Sequence, residues 1–198
     1  MLRPIFGLVA ILAAVVIVAP AVASANGDET KVKIFAPFEG EQLAKGLVIA
    51  SRVSGSCWIG SAADLGRSDA WRCMSGNEIR DPCFAGFLLD LHVVVCGSPF
   101  TNRVVEMNLT SELPKNMGNR DTQTSGLPFA LELDDGSSCA MMTGATSTVD
   151  GMRANYSCLG SKETVYGEPD RSTALWKIYV RPTGTSELKQ ANVLVAWF

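Results

Sequence analysis

Apolar and polar residues alternate along much of the chain from residue 104 onward, with the period of two that a half-buried strand requires. Val105, Met107 and Leu109 share one face, against Glu106, Asn108 and Thr110 on the other. Phe129, Leu131 and Leu133 alternate with Ala130 and Glu132, and Asp134-Asp135-Gly136 then supplies a turn signal. Met152, Ala154, Tyr156 and Cys158 fall in phase, as do Trp176, Ile178 and Val180. Ala191, Val193, Val195 and Trp197 form a last in-phase run, expected to pair with the preceding one around Pro182-Thr183-Gly184. Upstream, Val32 to Phe35 and Leu47 to Val53 read as strands flanking a turn region from Glu39 to Gly46, and Phe87 to Cys96 reads as a strongly apolar strand.

Residues 54–83 differ in kind. They are rich in Gly, Ser, Asp and Arg and show no sustained period, so an ordered loop region is expected, with a short helical turn from Ser68 to Met74. The chain downstream of residue 25 offers no amphipathic helix of ordinary length. Six to nine short strands predict a mainly β fold: one disulfide-stapled β-sandwich or partly open barrel over residues 31–198, interrupted by a long irregular Cys-rich loop segment.

The N-terminus has another pattern. Arg3 precedes an apolar run from Ile5 to Ala19, Pro20 breaks it, and Ala21-Val22-Ala23-Ser24-Ala25 offers small residues. This is the layout of a secretory signal peptide over residues 1–25, with cleavage after Ala25 or, as second choice, after Ala23. An uncleaved anchor is the alternative, because Ile5 to Ala25 just reaches spanning length. Pro20 and the alanines favour the peptidase. Residues 26–30 then form a short flexible lead-in, and the mature chain is expected to be extracellular with no stable membrane insertion.

The whole chain carries 17 Lys+Arg against 20 Asp+Glu, a net charge of −3. Residues 1–25 hold one basic residue, Arg3, and no acidic one, so cleavage moves the balance to −4. Mild acidity and the lack of a basic run argue against a nucleic-acid partner, which needs a clustered positive footprint.

Six cysteines, at 57, 73, 83, 96, 139 and 158, are an even set downstream of the export signal. Three disulfides are expected, and six cysteines permit about fifteen pairings. Cys139 and Cys158 fall on neighbouring predicted strands joined by one loop, the best single pair. Cys57–Cys73 and Cys83–Cys96 then close the remaining local loops, although other pairings within 57–96 stay open. A zinc site wants cysteines two to four residues apart, and none here are that close. Trp58 and Trp71 flank Cys57 and Cys73, and indoles beside sulfur are more often core than ligand platform.

His92 is the one histidine, with Asp90 two residues away on the same face of a strand. That is the orienting half of a catalytic triad, but no nucleophile motif accompanies it. Asp64, Asp69, Glu78 and Asp81 could converge as a glycosidase pair. They are interspersed with Arg67, Arg72 and Arg80, and arginine–carboxylate forks more naturally brace a loop. Asp134-Asp135-Gly136 is too short for a calcium loop and suits a hairpin turn. Asn108-Leu109-Thr110 and Asn155-Tyr156-Ser157 match glycosylation acceptors. No phosphate-binding glycine loop is present, and no cofactor or metal is expected.

An ordered series of motifs carries a resemblance. It comprises Ser56-Cys57-Trp58, Gly60-Ser61, Arg67-Ser68-Asp69-Ala70-Trp71-Arg72-Cys73-Met74, Gly76-Asn77, Ile79, Asp81-Pro82-Cys83-Phe84 and Val94-Val95-Cys96. It continues through Ala130-Leu131-Glu132-Leu133, Gly136, Cys139, Thr143-Gly144-Ala145, Gly151-Met152-Arg153 and Asn155-Tyr156 before Cys158. Over residues 54–198 the chain resembles an uncharacterised family of secreted, six-cysteine actinobacterial-type proteins. The resemblance implies an exported bacterial origin, which disfavours N-glycosylation, and brings no activity with it.

The sequence therefore points first to a non-enzymatic binding module of the cell envelope or extracellular space, with an extracellular or envelope partner. Its expected surface lies within residues 58–81, with Trp58, Asp69, Arg72, Glu78 and Asp81 as candidates. A secreted hydrolase acting on cell-wall glycan or peptide is the alternative, and a protease inhibitor presenting a stapled loop is a third reading.

Overall fold

In the computed structural model, residues 27–40, 42–62, 67–86, 92–115, 126–161 and 163–198 are described. The expected signal segment, Asp64, Asp90 and the first half of the run from Phe87 lie outside them. The described residues hold strands, turns and irregular connections, and among them no helix is long and apolar enough to cross a membrane.

Five strands form a closed barrel: β4 (Val48–Gly60), β5 (Ala70–Ser75), β6 (Glu78–Phe84), β7 (Val93–Cys96) and β8 (Arg103–Leu109). Before it lie the short strands β1 (Lys31–Lys33), β2 (Phe38–Glu39) and β3 (Gln42–Leu43), the last two forming a small antiparallel pair. The barrel is a meander, each strand antiparallel to the one before. An odd number of alternating strands leaves the first and last pointing the same way, so closure has to be parallel, and β4 pairs parallel with β8.

The second sheet contains β9 (Ala130–Leu133), β10 (Ser138–Met141), β11 (Thr148–Val149), β12 (Met152–Cys158), β13 (Thr164–Asp170), β14 (Trp176–Arg181) and β15 (Lys189–Trp197). Pairing runs β9-β10-β12-β13-β14-β15 and returns from β15 to β9. Six alternating strands close antiparallel, as they do here. β11 is a side hairpin on β12, and β1 pairs parallel with the far end of β15.

The mainly β expectation holds, and so does the β14–β15 pairing around Pro182-Thr183-Gly184. The irregular Cys-rich segment does not. Residues expected as loop and helical turn form the end of β4, all of β5 and nearly all of β6. Their polar residues are the outward half of a strongly bulged barrel, and register shifts at Cys57/Ile59 and Trp71/Cys73 erase the period of two. The sandwich detail gives way as well: the core divides into three clusters, one in each ring and one where the rings meet.

Bulges also correct two predicted faces. In β12, Ala154 lies opposite Tyr166 while Tyr156 lies opposite Val165, so the extra residue, Asn155, switches the phase. Tyr156 and Cys158 enter the ring's core and Ala154 belongs to the other face. In β15 the shift between Val193 and Val195 turns Ala196 and Phe198 inward, in place of the expected Val195 and Trp197.

All three disulfides join directly opposed residues on adjacent strands: Cys57–Cys73, Cys83–Cys96 and Cys139–Cys158. These are the pairings expected from loop closure. Each closes a loop of 13–19 residues, worth about 3 kcal/mol against the unfolded chain. Four of these cysteines, with Trp71, Val94 and Met107, make up the barrel's core.

The rings meet at an aromatic cluster. Phe35 precedes β2, Phe84 ends β6 and Phe129 precedes β9, with ring centroids 5.6, 5.9 and 6.3 Å apart in tilted and edge-on geometry. The Arg67 guanidinium lies 4.5 Å from the centre of the Phe84 ring. Its Nη1 donates to the carbonyls of Phe35 at 2.9 Å and Phe198 at 3.1 Å, and its Nε and Nη2 fork onto Asp69 at 2.7 and 2.8 Å.

Two stability predictions follow from these close contacts. Arg67→Lys keeps the charge but cannot serve two carbonyls and a forked carboxylate together, so it is expected to cost about 2–3 kcal/mol in urea unfolding. Gly55 sits where β4 passes from its pairing with β8 to its pairing with β5. A Cβ there would lie 2.3 Å from the Met74 carbonyl oxygen and 2.7 Å from Met107 Sδ. Gly55→Ala is expected to lose about 2–3 kcal/mol, because the first obstacle is backbone and cannot swing aside. A thermal melt unchanged from wild type would contradict this.

Candidate functional site

The outer face of the first barrel carries the most pronounced exposed apolar group near the expected site. A bulge opposes two residues of β4 to one of β5, so Trp58 and Ile59 both reach the surface, 46% and 56% exposed. On β5, Trp71 and Cys73 point into the core, which places Arg72 and Met74 outward. Met74 is 42% exposed and lies opposite Ser56 on one side and Ile79 on the other. Trp58, Ile59, Arg72 and Met74 thus form one continuous outward patch. Trp71 takes the core position expected for an indole beside sulfur, whereas Trp58 departs from it.

Arg72 is held between a ring and a carboxylate. Its guanidinium carbon lies 5.8 Å from the Trp58 ring centre, and its Nη1 is 3.9 Å from Asp81 Oδ2. The Asp81 side chain is 1% exposed. Its oxygens accept from Ser61 Oγ, in a short hydrogen bond, and from the Ala62 N–H at 3.2 Å. Burial raises the Asp81 carboxyl above its usual range, opposed by the Ser61 and Ala62 hydrogen bonds and the Arg72 charge. At 3.9 Å the ion pair is a loose contact, and Arg72 Nε is buried without a hydrogen-bond partner.

Of the five candidates expected from sequence, the fold therefore brings Trp58, Arg72 and Asp81 together. The other two are engaged elsewhere. Asp69 anchors Arg67 at the junction between the rings, and Glu78 pairs with Arg80 at 2.5 Å. The Glu78 side chain is 63% exposed, so that pair contributes little. Sequence reasoning missed Ile59, Met74 and Ser61. Strict alternation would have set Ile59 inward with Cys57, and only the bulge reverses it.

The remaining candidates are placed plainly. His92 is exposed just before β7, and its carbonyl accepts from the Leu109 N–H at 2.7 Å. Asp134-Asp135-Gly136 makes the β9–β10 turn, with Gly136 at φ 87° and Ser137 N–H donating to Asp135 Oδ1 at 2.8 Å. Asn155 is 5% exposed and donates through Nδ2 to the Gly167 carbonyl, so this acceptor sequence is closed to modification in the folded chain. Among the described residues, no three His, Cys, Asp or Glu side chains are grouped so as to hold a metal ion.

Asp81 gives the patch a pH signature. Its folded pKa is raised above the unfolded value of 3.8, so its contribution to stability is fully present below that value. The contribution is then lost as pH rises through the raised value. Asp81→Asn should remove this dependence. Urea unfolding from pH 3 to 7 is expected to show wild type gaining on the variant toward acid, and parallel curves would contradict the assignment.

Compared with protein-family models, with curated proteins and with solved structures, the chain matches none of them.

Proposed function

We propose that this chain is an exported, non-enzymatic binding module of the bacterial envelope or extracellular space, whose contact surface is the barrel face bearing Trp58, Ile59, Arg72 and Met74. The observation that carries the reading is the mounting of Trp58. Its neighbour Cys57 is clipped across the strand pair to Cys73, and Arg72 lies over its ring. An exposed indole on a rigid, covalently tied strand loses little entropy on contact, which is what an interface anchor requires.

Three disulfides suit an oxidising compartment, in keeping with the expected signal peptide. The hydrolase reading draws less support. Asp69 and Glu78 are paired to arginines in separate places, and the Asp81 side chain is sealed from solvent.

The test uses the full chain expressed in a bacterial host. The exported product is expected to begin at Asn26, or at Ser24. Incubated with isolated bacterial cell-wall, membrane and secreted-protein fractions, it should associate saturably with one of them. Trp58→Ala and Arg72→Ala should each weaken that association about tenfold or more, with Trp58→Ala leaving the melting temperature unchanged. Retention of the whole chain in the cell, or association indifferent to both substitutions, would overturn the proposal. Release of soluble wall fragments would favour the hydrolase.

A further inference from the structure

A second feature shares no residue with the Trp58 face. A cleft of about 440 Å³ opens where the first barrel meets β15. Phe35, Leu47, Pro99, Phe100 and Trp197 line it, with Lys45 at its edge. It is open to solvent and lined by aromatic and apolar residues together with Lys45, Thr101 and Asn102, at a junction of the kind small-molecule sites favour.

The walls are preformed. One is the turn leading into β4, where Ala44 N–H donates to the Pro37 carbonyl at 2.8 Å and Leu47 N–H to the Ala44 carbonyl at 3.1 Å. The other is the turn between β7 and β8, held by Phe100 N–H to Ser98 Oγ at 3.3 Å and Arg103 N–H to Thr101 Oγ1 at 3.1 Å. Val48 N–H donates to the Asn102 carbonyl at 2.8 Å and ties the two together. A ligand entering here would not have to order either wall.

Charge selects the occupant. Lys45 is the one charged residue among those lining the cleft. The acid beside Trp197, Glu132, already accepts the indole Nε1–H at 2.9 Å. The cleft therefore presents aromatic walls beside a single unopposed lysine among its lining residues. From this juxtaposition we infer that it binds a small aromatic carboxylate, its ring against Phe35, Phe100 and Trp197 and its carboxylate at Lys45.

Isothermal titration of the full chain with 4-phenylbutyrate and with the uncharged 4-phenylbutanamide tests this. The acid is expected to bind saturably at one site per chain, about tenfold more tightly than the amide. Lys45→Gln should bring the acid down to the amide's affinity and leave the amide unchanged. Asn102→Trp, which fills the cleft from its rim, should abolish both, and Trp58→Ala should alter neither. No saturable binding up to about 10 mM acid would overturn the inference. So would equal affinity for acid and amide, indifference to Lys45→Gln, or loss of binding in Trp58→Ala. Lys45 is exposed, so its variant reports on binding even where Asn102→Trp fails to fold.

Discussion

The guanidinium of Arg67 is where the two closed sheets become one structure. It covers the Phe84 ring of the first barrel and donates to the carbonyls of Phe35 and Phe198, which belong to segments at opposite ends of the chain. Phe198 N–H in turn donates to the Lys33 carbonyl and Phe35 N–H to the Phe198 carbonyl, so β1 and the chain's last residues are laced together beneath it. A largely buried cation of this kind is tolerated because five N–H donors in a fixed fork can satisfy two carbonyls and a carboxylate at once. Asp69 holds the fork in place, which explains why that residue does not join the outward patch.

One of the two candidate surfaces hangs from this junction. The aromatic cleft is walled by Phe35, Phe100 and Trp197, contributed by the segment after β1, the first barrel and β15. It exists only while those three are held together. The Trp58 patch depends on the barrel alone, through a disulfide one residue away and a buried carboxylate behind Arg72. The two surfaces therefore rest on different supports: one on packing between sheets, the other on covalent and ionic bracing within one sheet.

The disulfides were legible because their physics is local. Loops of 13 to 19 residues are easily closed; Cys139–Cys158 follows from neighbouring strands, and the other two pairs are the remaining local loops. Alternation was legible at Met107 and Leu109 for the same reason, since each residue's face follows from its neighbours, whereas the buried valine of that strand is Val104 and not the expected Val105. The segment from 54 to 83 was misread because its strands are bulged and its outward positions are charged. Composition then resembles a loop, and the apolar residues that would restore the period, Trp71 and Cys73, are too few. Of the candidate surface, Trp58, Arg72 and Asp81 could be named by residue type. Ile59 and Met74 could not, because their exposure depends on a register shift.

The sequence by itself determined that the chain is mainly β, that its six cysteines form three disulfides with Cys139–Cys158 the clearest pair, and that the last two strands form a hairpin. Those properties reside in alternation, loop length and turn residues, all readable within a few tens of positions. The tertiary structure decided that the strands close into rings, where the bulges fall, and which arginine pairs with which carboxylate. A bulge or a ring closure is a relation between strands, and its cost and gain appear only when the partner strand is in place. That is why Arg67 and Arg72, five residues apart in one polar stretch, finish with unrelated tasks: one joins the sheets, the other faces solvent beside Trp58.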